Sequence, residues 1–449
     1  MNPARAVALG SALLLASASV AADESRTKFS AALSAEGRGY LHDPAYAGQN
    51  GAAASASLSL EPELYVEWSR NTSATITPFA RWDSIDEERS HIDLRELALQ
   101  QRFGNFDLRL GVSRVFWGVT ESVHLVDIIN QTDQVENIDG EDKLGQPMAM
   151  LSWTTDAGVF TGFVLPYFRE RTLPGPDGRF RSEFTYAQND AIYESSDEEH
   201  HVDGALRWSL STSLFDLGLS YFNGTGRSPR FAPRVTTSDP GALAQLLDQL
   251  GLAGLLGQLA QGQVDDVSVD LVPVYDQIEQ TGLDLNLVSG NWIWKLEAIY
   301  QDSRARDYGA AAGGFEYTYA GAFNSAWDAS LLMEYLWDSR GDDTAPLPTA
   351  EDLQGNMLPP QQIPPLFQND LFVGTRLTPN DVASTEFLAG VVVDLDHGGL
   401  FASVETSRRL GSAGKLALEL RIFADAQSQD PLYLLRDDDY LQLEYTHYF

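Results

Sequence analysis

The chain closes on Tyr440-Leu441-Gln442-Leu443-Glu444-Tyr445-Thr446-His447-Tyr448-Phe449. Successive side chains of an extended chain point to opposite sides, so Leu441, Leu443, Tyr445 and Phe449 share one face. Tyr440, Gln442, Glu444, Thr446 and Tyr448 share the other, and His447 takes an outward position near the end. The segment reads as a strand that is apolar on one side only. Just upstream, Leu416, Leu418, Leu420 and Ile422 alternate with Lys415, Ala417, Glu419 and Arg421. A slip of one residue would turn each charge to the apolar side, so the register is fixed. The same period of two returns at 58–68, 106–112, 202–210 and 292–300. A soluble sandwich also buries one face of each strand, so alternation alone leaves two architectures open.

Turn lengths separate them. Tight connections at 69–72, 104–105, 156–158, 289–291, 324–326, 378–381 and 411–414 take turns with long ones, among them 116–146, 170–201, 223–267 and 339–365. Only 396–399 is a short turn on the long-loop side. This succession is what an all-β, transmembrane antiparallel up-and-down β-barrel requires, and the pattern predicts about 18 strands, with a range of about 16 to 18. The stretch 268–287 fits one tilted strand or two, and a phase change between Leu94 and Leu97 predicts a bulge.

Residues 1–22 carry one charge, Arg5, then an apolar stretch and the small residues Ser19, Val20, Ala21 and Ala22. That is the layout of a cleavable signal peptide, which leaves 23–449 as a single barrel domain. No apolar run long enough for a spanning helix follows it, which excludes a helical membrane protein. The formal net charge of −34 argues against nucleic acid as a partner. Cysteine is absent, so the chain holds together without disulfides or thiolate metal sites. A closed sheet can do so, because its backbone groups are satisfied between strands.

The last strand, with its aromatic final residue, resembles the segment by which outer-membrane barrels are recognised for assembly. The resemblance implies Phe449 as the assembly signal and the barrel assembly machinery as a partner. Residues 114–148 read RVFWGVTESVHLVDIINQTDQVENIDGEDKLGQPM. Here Trp117, Gly118, Asp127, Ile129, Asn130 and Asp133 resemble a W-G…D-x-I-N-x-x-D segment of poorly characterised porin-like Gram-negative outer-membrane β-barrels. Gln131 stands where one related group has proline. The resemblance implies a barrel in the bacterial outer membrane, among lipid and lipopolysaccharide, and no particular solute.

The loop 116–146 contains Trp117, Glu121, Asp127, Asn130, Asp133, Glu136 and Asp139, with Lys143 as its one lysine or arginine. Its apolar residues Val123, Leu125, Val126, Ile128 and Ile129 are hard to leave in water, so the loop is predicted to fold inward and constrict the barrel. The alternative is a solvated outer loop whose acids bind divalent ions. Strand phase places Arg81, Arg109, Arg207, Lys295, Glu297, Glu419 and Arg421 toward the lumen, where they and the loop acids would set an ion preference.

Ser238 and Pro240 cap a leucine-rich stretch that predicts an extracellular helix over 240–260, with Leu243, Leu246, Leu247 and Leu250 as a gate. A lid over a hydrophobic binding site and a partner interface are the competing roles. The acid runs at 195–199 and 437–439 read as solvated charge, so no metal site and no cofactor are predicted. Serine, histidine and acid residues show no catalytic spacing, which argues against an enzyme. The expectation is a porin-like channel for passive passage of small solutes or ions. Its alternatives are a transporter of hydrophobic compounds that uses the leucine helix, and a surface receptor or adhesin. The oligomeric state stays open, a homo-oligomer included.

Overall fold

The computed structural model describes residues 25–46, 48–237, 267–341, 365–427 and 430–449, with isolated positions 249, 254, 258 and 360. The first strands are β1 (Arg26–Tyr40), β2 (Ala54–Ser69), β3 (Thr72–Asp83), β4 (Ile92–Phe103), β5 (Phe106–Ser113), β6 (Gln146–Thr155) and β7 (Gly158–Leu165). Two short strands, β8 (Thr185–Tyr186) and β9 (Ile192–Tyr193), precede β10 (Asp203–Ser211) and β11 (Phe215–Thr225). Next come β12 (Arg230–Thr237), β13 (Val267–Tyr275), β14 (Gln277–Ser289), β15 (Trp292–Ser303), β16 (Tyr308–Ala322) and β17 (Trp327–Asp338). The chain finishes with β18 (Asn369–Thr378), β19 (Glu386–Asp394), β20 (Leu400–Leu410), β21 (Gly414–Ala424) and β22 (Tyr440–Tyr448).

Eighteen of these strands form one sheet, each antiparallel to the next. The sheet closes where β22 pairs with β1, from Tyr448 opposite Ala32 to Tyr440 opposite Tyr40. No edge is left open in the wall. The four others, β8, β9, β12 and β13, build a small sheet within the long connections. Leu173, Phe231 and Leu271 form its core. The stretch 268–287 is therefore two strands, of which only β14 belongs to the wall.

The pleat sorts the side chains as the alternation predicts. Leu441, Leu443 and Tyr445 of β22 are exposed on the outer face, as are Trp294 and Leu296 of β15. Lys295, Glu297 and Ile299 alternate with the latter pair and point inward, where Glu297 and Ile299 are buried. The predicted bulge sits in β4: Glu96 pairs with Thr77 and Leu94 with Pro78, so Arg95 has no partner across the ladder. Proline cannot donate to a ladder, and an extra residue opposite it absorbs the mismatch. The consequence is local, since Arg95 is thrown inward and buried.

Tight ends carry the backbone that turns require. Gly104 (φ +59°) and Gly290 (φ +64°) hold left-handed positions in the two-residue turns after β4 and β14. Three 3-10 turns, Gln188–Asp190, Glu198–His200 and Pro431–Leu435, lie among the described residues. The expected helix 240–260 is unsupported: its gate residues Leu243, Leu246, Leu247 and Leu250 lie outside the described residues. The signal peptide at 1–22 lies outside them too.

Closure by β22 makes a concrete expectation. In detergent, the unheated chain should run faster on gels than the boiled chain, and deleting 440–449 should abolish that difference. An intact difference after the deletion would show that β22 is not the closing strand.

Candidate functional site

The connection between β5 and β6 crosses into the barrel and is held there by carboxylates that project from the wall. Glu297 on β15 accepts the N–H groups of Val119 (2.6 Å), Thr120 (3.0 Å) and Val126 (3.2 Å), and the hydroxyl of Thr120 (2.8 Å). Glu334 on β17 accepts the N–H groups of Glu121 and Ser122, each at 2.9 Å, and the Ser122 hydroxyl at 2.6 Å. Loop N–H groups brought into the lumen lose water, and charged acceptors fixed on the wall replace it.

Ion pairs continue the attachment around the ring. Glu121 lies 3.3 Å from Lys295 and pairs with Arg376, which is itself 3.2 Å from Glu316. Asp139 reaches Arg421 at 3.3 Å. On the far side Glu136 meets Arg81 at 2.8 Å, and Asp133 meets Arg95 at 2.8 Å. Asp133 also accepts the Thr172 hydroxyl at 2.7 Å. The loop thus touches β3, β4, β15, β17, β18 and β21.

The residues of the W-G…D-x-I-N-x-x-D segment are all spent on folding this loop. Trp117 packs edge-on against Phe163 of β7 at 5.5 Å, with the Arg207 guanidinium 4.9 Å from its ring. Gly118 is required because a Cβ there would stand 2.7 Å from Nδ1 of His124. Asp127 accepts the Trp117 N–H and lies 3.3 Å from Lys143. Ile129 is fully buried. Asn130 clasps the two ends of the loop: its Oδ1 accepts the Val115 N–H at 2.9 Å, and its Nδ2 donates to the carbonyls of Ser113 (2.9 Å) and Leu144 (2.8 Å). Together with Met148, Leu165, Phe222 and Ile278, these apolar residues form a core inside the barrel.

Some of the residues expected toward the lumen meet the loop, and others do not. Arg81, Arg207, Lys295, Glu297 and Arg421 all touch the loop, and Glu419 supports Arg421 at 3.1 Å. Arg109 does not; it faces Glu96 at 3.9 Å. The loop acids Asp127, Asp133 and Glu136 are buried in pairs rather than turned toward open lumen. Glu334, Arg376 and Arg95 were overlooked. Strand phase alone would have shown the first two pointing inward, whereas Arg95 depends on the bulge. Asn130, expected in the constriction loop, braces the two ends of that loop. A second connection, 166–202, also docks inside, with Arg179 3.0 Å from buried Asp438 and Phe180 set between Tyr40 and Tyr440.

His91, Asp133 and Glu136 converge within 4.8 Å and are the one potential metal-ligand group among the described residues. Arg95 and Arg81 already neutralise those carboxylates, so the donor set is supplied with cations of its own. It fits an ion-pair network rather than a metal.

Three cavities adjoin along the side of the lumen that the loop leaves open. An outer one of about 250 Å³ is edged by Arg171, Arg230 and Asp276. A central one of about 600 Å³ lies between the loop and the inner faces of β16 to β21. His124, Lys143, Asp338 and Arg340 line both. A lower one of about 450 Å³ shares Leu388 and Glu405 with the central cavity.

No family model matches this chain, and no curated protein does. Among solved structures, the chain is similar to OpdO of Pseudomonas aeruginosa, with a TM-score of 0.48 and 10% identity over 95% of this chain and 97% of that one. It is also similar to Wzi, described as an outer membrane protein involved in group 1 capsule assembly in Escherichia coli and a carbohydrate-binding β-barrel (TM-score 0.47, 11% identity, 92% and 83% coverage). A third is the Rhodopseudomonas blastica porin in a triple-mutant form (TM-score 0.40, 11% identity, 94% and 100% coverage).

Two expectations follow for loop docking. Asn130→Ala should weaken it by roughly 1–3 kcal/mol for each buried group left unpaired, read as faster amide exchange across 114–145 with the barrel intact. The second concerns pH. Burial and the neighbouring carboxylates of Glu136 and Asp139 push Asp142 up to about 7. A carboxyl with a raised folded pKa favours docking most below its ordinary value of 3.8 and loses that contribution as pH climbs through about 7. Burial disfavours charge on His124, yet Glu141 at 2.8 Å and Glu297 raise it to about 10. Its contribution is complete below its ordinary 6.5 and disappears through about 10. Loop exchange should accelerate in two steps as pH rises, the lower step vanishing in Asp142→Asn and the upper in His124→Gln.

Proposed function

We propose that this protein is an outer-membrane channel through which small solutes cross passively, and that the loop 116–146 constricts it to an off-centre passage. The observation that carries this reading is the row of three adjoining cavities beside a loop pinned across the lumen. A barrel filled only to make a rigid body has no use for such a row. The outer face supports a membrane setting: Leu58, Leu60, Leu64 and Trp68 share one face of β2 and stand exposed there. That much apolar surface needs hydrocarbon around it.

The loop narrows the barrel, and the lower cavity sets the sign of its preference. Glu386, Glu405, Glu419 and Glu444 border that cavity, against Arg376 and Lys415. An excess of fixed carboxylates in a narrow aqueous path lowers the energy of cations and raises that of anions. Passage involves no chemical step, so the residues act by shape and charge alone.

In planar bilayers the purified protein should give discrete open levels with a preference for K⁺ over Cl⁻. Glu386→Gln with Glu444→Gln should reduce the preference by about two-fold or more without loss of open levels. Glu334→Ala, which frees the Glu121 and Ser122 N–H groups, should raise the conductance or its noise. A bilayer that stays closed under all these conditions would overturn the channel.

A further inference from the structure

The interior of a water-filled barrel is normally polar. Here a sector of the inner wall is not. Leu332 and Leu336 of β17, Phe372 of β18 and Val392 of β19 form a buried apolar cluster, with Phe401 of β20 packed against it. Phe423 of β21 stacks on Phe401 with ring centroids 5.3 Å apart, and Phe367, just before β18, lies 6.4 Å from Phe401. Val123 and Leu125 of the loop cover part of this sector. They do not fill it, because the central cavity of about 600 Å³ remains open beside all four phenylalanines. A volume of this size suits a small organic molecule.

The wall is also cut to lay one ring flat. A Cβ on Gly374 would stand 2.7 Å from the Phe372 ring, and a Cβ on Gly390 of the next strand would stand 2.4 Å from it. Neither glycine has an unusual backbone angle, so what they provide is room. With Phe372 lying over both, the sector keeps its aromatic surface without blocking the path.

Charge around the cavity is unequal. Arg421 is the guanidinium shared by three carboxylates: Glu405 at 2.9 Å, Glu419 at 3.1 Å and Asp139 at 3.3 Å. The two most accessible charged groups lining the cavity are acids. The side chains of Glu405 and Glu141 are 41% and 52% exposed, whereas Arg421 is 6%, Lys143 14% and Arg340 15% exposed. A molecule in the cavity therefore meets aromatic surface on one side and, on the other, half-exposed carboxylates that Arg421, shared three ways, does not fully neutralise.

We propose that the central cavity is a binding station for organic cations with an apolar, ring-sized body, held by the Phe367, Phe372, Phe401 and Phe423 wall and by Glu405. This rests on the channel reading and adds a solute class to it. Burial of the body against the phenylalanines supplies residence, and the carboxylate selects the sign of charge. Release downward leads to the lower cavity, which Glu405 also borders, so the charge is never left without a partner.

The test uses the full mature chain in a planar bilayer, with 2-phenylethylammonium, ethylammonium and 3-phenylpropionate as probes. Phenylethylammonium should interrupt the K⁺ current with dwell times at least ten-fold longer than ethylammonium, and phenylpropionate should interrupt it least. Phe401→Ala with Phe423→Ala should shorten the phenylethylammonium dwell about ten-fold while the open K⁺ level persists. Glu405→Gln should do so without changing the heat-dependent gel mobility. Phe401→Leu, which keeps apolar bulk, serves where the alanine pair fails to fold and should give an intermediate dwell. Equal dwell for the two ammonium ions, or a longer dwell for phenylpropionate, would overturn the proposal. Titration calorimetry in detergent separates the two readings: phenylethylammonium binding without open levels would keep the station and remove the channel, and open levels without binding would do the reverse.

Discussion

The interior of this barrel depends on carboxylates that replace water around a peptide. A loop of some thirty residues carried across a lumen brings its backbone N–H groups with it, and each one left without an acceptor costs roughly 1–3 kcal/mol. Glu297 alone satisfies three of them, and Glu334 satisfies two. Much of the loop's position follows from where those two side chains stand on the wall. They draw the loop toward β15 and β17, and the ion pairs to Arg81, Arg95, Arg376 and Arg421 stretch it across the opening.

The acidic composition gains a second meaning from this arrangement. A chain with a formal charge of −34 has carboxylates to spare, yet Glu121, Asp127, Asp133, Glu136 and Asp139 of the loop each meet an arginine or lysine. Burying such pairs gives less stability than their number suggests, because desolvation cancels much of the attraction. What the pairs provide is a single position for the loop. Lower down, along β19 to β22, acids outnumber their partners: Glu405 and Glu419 share Arg421, and Glu386 and Glu444 border the same cavity.

Much of the wall was legible in the sequence because a closed sheet with an apolar outer face enforces a strict period. The pairs Leu441/Leu443 and Trp294/Leu296 lie where alternation put them, and the phase change at Leu94–Leu97 proved to be the Arg95 bulge. The loop was legible in outline, since Val126 and Ile129 could not be left in water and are indeed buried. Its partners were harder. Glu334 and Arg376 point inward by simple alternation, but nothing in a linear sequence says which inward charge meets which loop atom 200 or more residues away. The small sheet was missed because β8 and β9 have only two residues each and carry no period. The aromatic sector was missed because its phenylalanines come one per strand, and they become neighbours only through the ring order.

That separation along the chain bears on how the molecule can come together. Glu297 lies 177 residues beyond Thr120, Glu334 lies 213 beyond Glu121, and Arg421 lies 282 beyond Asp139. Arg81 and Arg95 precede the loop, but its anchors Glu297, Glu334 and Arg421 are among the later parts of the polypeptide. Ordering by such distant contacts is slow, since chain must be closed over before any reward is gained. The cylinder must therefore be nearly complete before its obstruction can settle, and a newborn molecule passes through a wider state than the mature one.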